Sequence, residues 1–306
     1  MRSGGLSILL AAVLWGTTGT AQTLMLDPSA PLSAEPVSAS PFSVGAARIV
    51  IGGLLLLLVA GLFRGPGTTR LLARGRGRVR VLLAVGAVSV VVYQLAFFVA
   101  VATTGVAVGT VVTIGSGPAF AGLMAAALGQ RPSGRWLVAT VGAVLGCLAL
   151  VSGGEAAGVD PSGVALALLS GLGYASYATI AGHLIRSGED DASVIAVLFG
   201  GAGLLLLPVL LLGTPGWLLT PTGMAVALYL GVVTTTVGYL LYARGLRSTS
   251  VPTATTVTMA EPVVAALLGL ALLGERLAAL PMAGLLIIGG SLVLLIPRRR
   301  AVVGHR

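Results

Sequence analysis

Ten apolar stretches of about 20 residues, separated by charge, proline or glycine clusters, dominate this sequence. They run approximately from Gly5 to Leu26, Phe42 to Phe63, Val81 to Val101, Gly105 to Leu128, Trp136 to Val151, Ser162 to Ile185, Ala192 to Gly213, Gly223 to Ala243, Val251 to Leu273 and Leu280 to Ile296. A hydrocarbon core about 30 Å thick needs about 20 helical residues at a rise of about 1.5 Å each. The stretches are continuously apolar rather than alternating, and about twice as long as the strand of a membrane barrel, which argues against β structure. Apolar residues make up 56% of the 306 and charged residues only 9%, too little polar surface to coat a soluble particle. A cytosolic enzyme, a secreted domain and a disordered chain are thereby excluded. The expected fold class is an all-α integral membrane protein with ten transmembrane helices.

The net charge of +9 comes entirely from arginine, since the chain has no lysine. Arginine concentrates in short inter-helical segments, above all between Arg64 and Arg80, instead of forming the single basic face that nucleic acid requires. With the N-terminus inside, every arginine except Arg48 and Arg276 falls on the cytoplasmic side, as the positive-inside rule demands. Both termini are then cytoplasmic, and the external loops carry Asp27, Glu35, Glu155 and Asp160. The leading apolar stretch is too long for the core of a signal peptide and has nine more behind it. Asp27 to Pro41, with four prolines, is expected to be a non-helical external loop.

The two halves of the chain repeat. Pro118 aligns with Pro262, Gly129-Gln130-Arg131 with Gly274-Glu275-Arg276, and Tyr93 with Tyr239. Because five spans make an odd number, the second copy enters the membrane in the opposite sense, the arrangement of two inverted five-helix repeats found in secondary transporters. The expected organisation is a first repeat over residues 1–152, a second over 160–297 and a basic cytoplasmic tail over 298–306.

On these residues the sequence resembles the EamA-type members of the drug/metabolite transporter superfamily. The likeness rests on Leu14-Trp15-Gly16, Arg48, Glu261-Pro262-Val263-Val264, Gly274-Glu275-Arg276-Leu277, Gly284 and Gly289-Gly290. It covers essentially the whole chain in two copies. The first copy departs from the pattern, with Gly117 where the second has Glu261 and Gln130 where it has Glu275. The resemblance implies a carrier with a central cavity formed mainly by spans 1, 3, 4, 6, 8 and 9. It also implies export of amino acids, other small metabolites or toxic organic compounds. The lack of lysine looks like the codon bias of a high-GC bacterial genome, so the expected location is a bacterial cytoplasmic membrane.

Glu261 lies about ten residues, or about 15 Å, into its span, where a charge costs about 3 kcal/mol. A group so placed faces a cavity and either titrates or pairs, which makes Glu261 the candidate for proton coupling or cation recognition. The competing role is structural: Pro262 has no N–H, so the Thr258 carbonyl loses its helical donor and the carboxyl satisfies the backbone around it. Trp15, Tyr93, Gln94, Phe97, Tyr174, Tyr177, Tyr239 and Tyr242 cluster mid-span and are expected to line the cavity with Glu261. Their rings suit a flat or cationic small-molecule substrate. Pro118 and Pro262 are expected to be hinges in corresponding spans. Arg48, about six residues into the second span, is placed to snorkel to the interface or to pair with a carboxylate group of substrate, and snorkelling or a helix contact is the expectation.

Cys147 has no partner and is expected to pack, and His183 and His305 lack metal-ligand spacing. With no phosphate-binding glycine loop and no nucleophile-base constellation, neither a cofactor nor a nucleic-acid partner is expected, and the partners are a small molecule and the lipid bilayer. A monomer fits this reading. The alternatives are a membrane-embedded transferase or a lipid-translocating protein. For the former, Glu189, Asp190 and Asp191 are the single acidic cluster, and these read as a solvated cytoplasmic turn.

Overall fold

Helices that are apolar on every side must satisfy their own backbone, and in the computed structural model every regular element among the described residues is helical. The described residues are 3–26, 39–63, 67–74, 77–104, 106–151, 160–213, 215–272 and 278–295. The Gly274–Leu277 motif, residues 27–38, and the tail with His305 lie outside them.

The elements are α1 (Ser3–Leu26), α2 (Pro41–Phe63), a short α3 (Gly67–Arg74), α4 (Gly77–Thr104), α5 (Val106–Ala127), α6 (Gly134–Val151), α7 (Pro161–Arg186) and α8 (Asp191–Leu212). A 3₁₀ turn (Pro215–Leu219) then leads into α9 (Pro221–Leu228), a π-helical segment (Tyr229–Val237) and α10 (Gly238–Leu246), followed by α11 (Val251–Val257), α12 (Ala260–Leu272) and α13 (Ala279–Leu294). With Pro221–Leu246 and Val251–Leu272 each counted as one continuous stretch, eight helices among the described residues are long and apolar enough to cross a membrane, and α6 and α13 are shorter apolar helices. Leu54, Leu58, Leu62, Leu204, Leu212 and Leu286 point outward and are exposed, as side chains facing lipid would be.

Within the bundle α2 runs along α8, α4 along α7, and α5 along α7, while α1 is packed by α10 and α12. The core between them is built on Ile49, Tyr177, Leu198, Phe199 and Tyr242. Polar side chains tie the helix ends. Asp160 caps α7 by accepting the Ser162 N–H at 2.8 Å, a bond that holds its carboxyl below the usual carboxylate range. The Trp217 indole in the 3₁₀ turn donates to Ser43 Oγ on α2 at 2.8 Å. At the opposite end the Trp136 indole on α6 is shared between the Pro252 carbonyl and Thr256 Oγ1 on α11. Cys147 is free and buried, packed with Val111, Ala143, Met259 and Ile288 as its apolar setting requires.

One tightly packed helix pair is α6 with α13, where Gly146 and Gly284 face one another. A Cβ at Gly284 would stand 2.5 Å from both the Gly146 carbonyl oxygen and the Leu150 nitrogen. These are backbone atoms and cannot swing aside, so close approach, the common basis of helix association in membranes, requires glycine here. Gly284→Ala is expected to lower stability by about 1–3 kcal/mol. Gly289→Ala, in open space on the same helix, is not. Thermal unfolding midpoints of the two variants in detergent check the contrast.

Candidate functional site

The site begins with a break in a helix. α11 ends at Val257, Thr258 and Met259 form a turn, and α12 starts at Ala260. Pro262 falls in the first turn of α12, where a missing N–H costs nothing because first-turn donors have no helical acceptor. The Thr258 carbonyl is not left orphaned: it accepts the backbone N–H of Glu261 at 2.9 Å. That corrects the structural role considered for the Glu261 carboxyl, because the main chain already performs it. The carboxyl has no hydrogen-bond partner among the described residues and lines a cavity instead.

This cavity of about 510 Å³ extends from mid-bundle to the helix ends marked by Pro41, Val101, Thr110 and Leu150. Its size lies within the range of about 300–1,000 Å³ usual for small-molecule sites. Trp15, Tyr93, Gln94, Phe97, Tyr174, Tyr177 and Tyr239 line it together with Glu261 and Pro262. Tyr93 lies against Tyr174 at 5.8 Å and Tyr177 at 6.2 Å between ring centroids, and Trp15 lies against Tyr239 at 4.8 Å. The Trp15 indole N–H donates to the Thr234 carbonyl at 2.8 Å, inside the π-helical segment, which fixes the ring at the inner end of the cavity. Two expectations need correction. Tyr242 does not line the cavity; its fully buried ring lies behind Trp15, tilted against it at 5.5 Å between centroids. Arg48 does line it, instead of snorkelling away, and shares it with Glu261. Its intramembrane charge was the signal for that role, and proximity to the end of its span concealed it. Phe98, beside Phe97, was also missed.

The two candidate hinges differ. α5 is continuous through Pro118, whereas the span containing Pro262 is broken, so the matched interruption expected of both occurs in one. Pro118 does not line the cavity, but its neighbour Gly117 shapes the wall. A Cβ there would stand 2.7 Å from Tyr174 Cδ1, so the ring fills the space a side chain at 117 would need. Tyr174 then reaches across to Thr258. The Thr258 hydroxyl already donates to the Thr255 carbonyl at 2.8 Å, so it accepts from the Tyr174 O–H, also at 2.8 Å. At the helix break, α1 comes close through Gly16, whose Cβ would stand 2.8 Å from the Glu261 carbonyl oxygen.

The profile of the EamA-like transporter family matches residues 2–152 and again residues 161–296. The chain belongs to the EamA-like transporter family. It is 38% identical over 294 residues to the uncharacterized transporter YwfM of Bacillus subtilis, covering 94% of this chain and 93% of that protein. To the uncharacterized inner membrane transporter YicL of Salmonella typhimurium it is 28% identical over 306 residues, covering 98% of each. A solved crystal structure superposes over 97% of both chains with a TM-score of 0.78 at 18% identity, a likeness of fold.

In this EamA-like transporter the cavity has a closed end. Beyond Trp15 and Tyr239, α1 and α10 meet at Gly4 and Gly245, each of which would bring a Cβ 2.8 Å from the other's carbonyl oxygen. At that end Arg247, just after α10, grips Asp191 on α8 through two bonds, Nε to Oδ2 at 2.8 Å and Nη2 to Oδ1 at 2.9 Å. The Asp191 side chain is 5% exposed and that of Arg247 51%. Asp190 caps α8 by accepting the Ser193 N–H at 2.8 Å. The expected solvated acidic turn is therefore corrected: two of its three carboxylates serve the ends of helices, and Asp191 is buried. Breaking this two-pronged pair with Arg247→Gln leaves a buried carboxylate unpaired and is expected to cost about 1–2 kcal/mol, discounted for the exposure of the arginine. In a double-mutant cycle with Asp191→Asn, read by thermal unfolding, the combined loss should be smaller than the sum of the two single losses.

Proposed function

We propose that this protein is a secondary transporter of the cytoplasmic membrane of a bacterium that exports a small organic metabolite by alternating access, with Glu261 as its coupling or cation-recognising group. The observation that carries the reading is a cavity that, among the described residues, reaches one end of the bundle only and is closed toward the other by the α1–α10 contact, and that holds the sole carboxyl in the middle of a membrane span. Closure at one end is what an alternating carrier requires of each of its states. The inner-membrane location is supported by the name of the Salmonella relative and by the absence of a polar coat. The arginine distribution supports cytoplasmic termini, which makes the cavity end external.

In this reading the ten apolar runs form two inverted five-helix repeats, over residues 1–152 and 160–297. Helix pairing supports it. Exchanging the halves converts the α4–α7 contact into that of α1 with α10, and the α5–α7 contact into that of α1 with α12. The α2–α8 and α6–α13 pairs map onto themselves. The substrate cavity is assigned to Trp15, Tyr93, Gln94, Phe97, Tyr174, Tyr177, Tyr239 and Glu261, and the helix break before Pro262 is the bending point.

The test is uptake of labelled amino acids, amines and related metabolites into proteoliposomes with and without an imposed pH gradient. Gradient-driven flux is expected in the wild type, and at least about a 10-fold loss of it in Glu261→Gln, the scale at which one acid-base group acts. Undiminished, gradient-dependent flux in Glu261→Gln would overturn the coupling role. Gradient-independent flux in both proteins would identify a facilitator with a structural glutamate.

A further inference from the structure

Arg48 and Glu261 are the two charged residues that fall inside the apolar runs. Each is costly there unless a partner compensates it, and the least expensive arrangement would be a direct ion pair. They do not form one. Both line the same cavity, within electrostatic reach of each other, yet no ion pair joins them among the described residues. Arg48 Nε is buried and has no hydrogen-bond partner. The Tyr177 hydroxyl, on another wall of the cavity, is also buried. The Tyr239 hydroxyl lies beside both Arg48 and Tyr177.

A guanidinium and two phenol hydroxyls gathered at one place form a set of donors. Guanidinium presents parallel N–H groups that match the two oxygens of a carboxylate, and phenols add directed O–H donors. Charge balance narrows the ligand further. A bare organic cation would satisfy Glu261 and leave Arg48 without a counter-charge, while a simple anion would do the reverse. A ligand carrying one charge of each sign compensates both. The aromatic side chains that line the cavity with the two charges, Tyr93, Tyr174 and Trp15, provide the apolar contact that would hold the rest of such a molecule.

Resting on the transporter reading above, we propose that Arg48, assisted by the hydroxyls of Tyr177 and Tyr239, binds the carboxylate of the substrate while its ammonium group faces Glu261, so that the cavity selects zwitterions. Arg48 is thereby a specificity-determining residue, and the absence of a direct Arg48–Glu261 pair is what leaves both charges available to the ligand.

The experiment measures binding to the purified full-length protein in detergent for the proteinogenic L-amino acids, each beside its carboxamide, which keeps the ammonium, and its N-acetyl derivative, which keeps the carboxylate. At least one amino acid is expected to bind about 10- to 100-fold more tightly than its carboxamide, the scale of one charged hydrogen-bond partner. Arg48→Gln should abolish that preference by weakening the acid far more than the carboxamide, with a thermal unfolding midpoint close to that of the wild type showing that the variant is folded. Arg48→Lys should recover part of the preference, because it restores the charge without the two-pronged geometry. Equal binding of acid and carboxamide by the wild type, binding by no amino acid in the set, or equal weakening of both by Arg48→Gln would each overturn the proposal. Failure of the transporter reading is distinguishable, since it would be the absence of flux for every solute in proteoliposomes, whatever binds in detergent.

Discussion

Two opposite charges held inside an apolar bundle, but not joined to each other, are the constraint on which this structure turns. In hydrocarbon such charges favour collapse into a pair, and the surrounding helices must be arranged to prevent it. α2 carries Arg48 and α12 carries Glu261, and each is held by packing against a neighbouring helix. α2 is packed along α8 over much of its length, while α12 is pressed by α1 through Gly16 at the carbonyl of Glu261 itself. The helix break after Val257 completes the arrangement, because it satisfies the Thr258 carbonyl through the main chain and leaves the Glu261 carboxyl free to face the cavity.

The halves of the chain meet this constraint differently. Where the second half has a carboxyl beside its proline, the first has Gly117, and the ring of Tyr174 occupies the space. That ring belongs to the second half, and its hydroxyl returns to Thr258 at the break. The wall of the cavity is therefore asymmetric in chemistry although the helix pairing is symmetric, with an aromatic surface on one side and an ionisable group on the other. A symmetric pair of carboxylates would have placed like charges close together in a medium that screens them poorly.

Much of the fold was legible in the sequence, and the reason is the solvent. Continuous apolar runs in lipid leave the helix as the available choice, so their positions reappear closely as α1, α2, α4, α5, α7 and α8. What the runs could not reveal is where a helix changes its winding: neither the π-helical segment Tyr229–Val237 nor the turn at Thr258–Met259 alters hydrophobicity. At the site, Glu261 and the mid-span aromatics were legible because polarity and ring size stand out against leucine and valine. Tyr242 was misplaced because it lies close in sequence to Tyr239 yet is directed behind Trp15, and such layering depends on a third helix. Arg48 was underestimated because sequence depth measures distance along a helix and not what faces the side chain.

The placement of the three tryptophans has a practical consequence. Trp136 and Trp217 anchor helix ends through their indoles and are not among the residues lining the cavity, whereas Trp15 forms part of its wall, its ring tilted against that of Tyr239 and its indole hydrogen-bonded to a main-chain carbonyl. The molecule thus carries an intrinsic optical reporter at its interior, one whose emission senses the polarity of whatever occupies the space beside it. Two conservative replacements, at the other two indoles, would leave Trp15 as the single tryptophan to follow the cavity in real time without any attached dye.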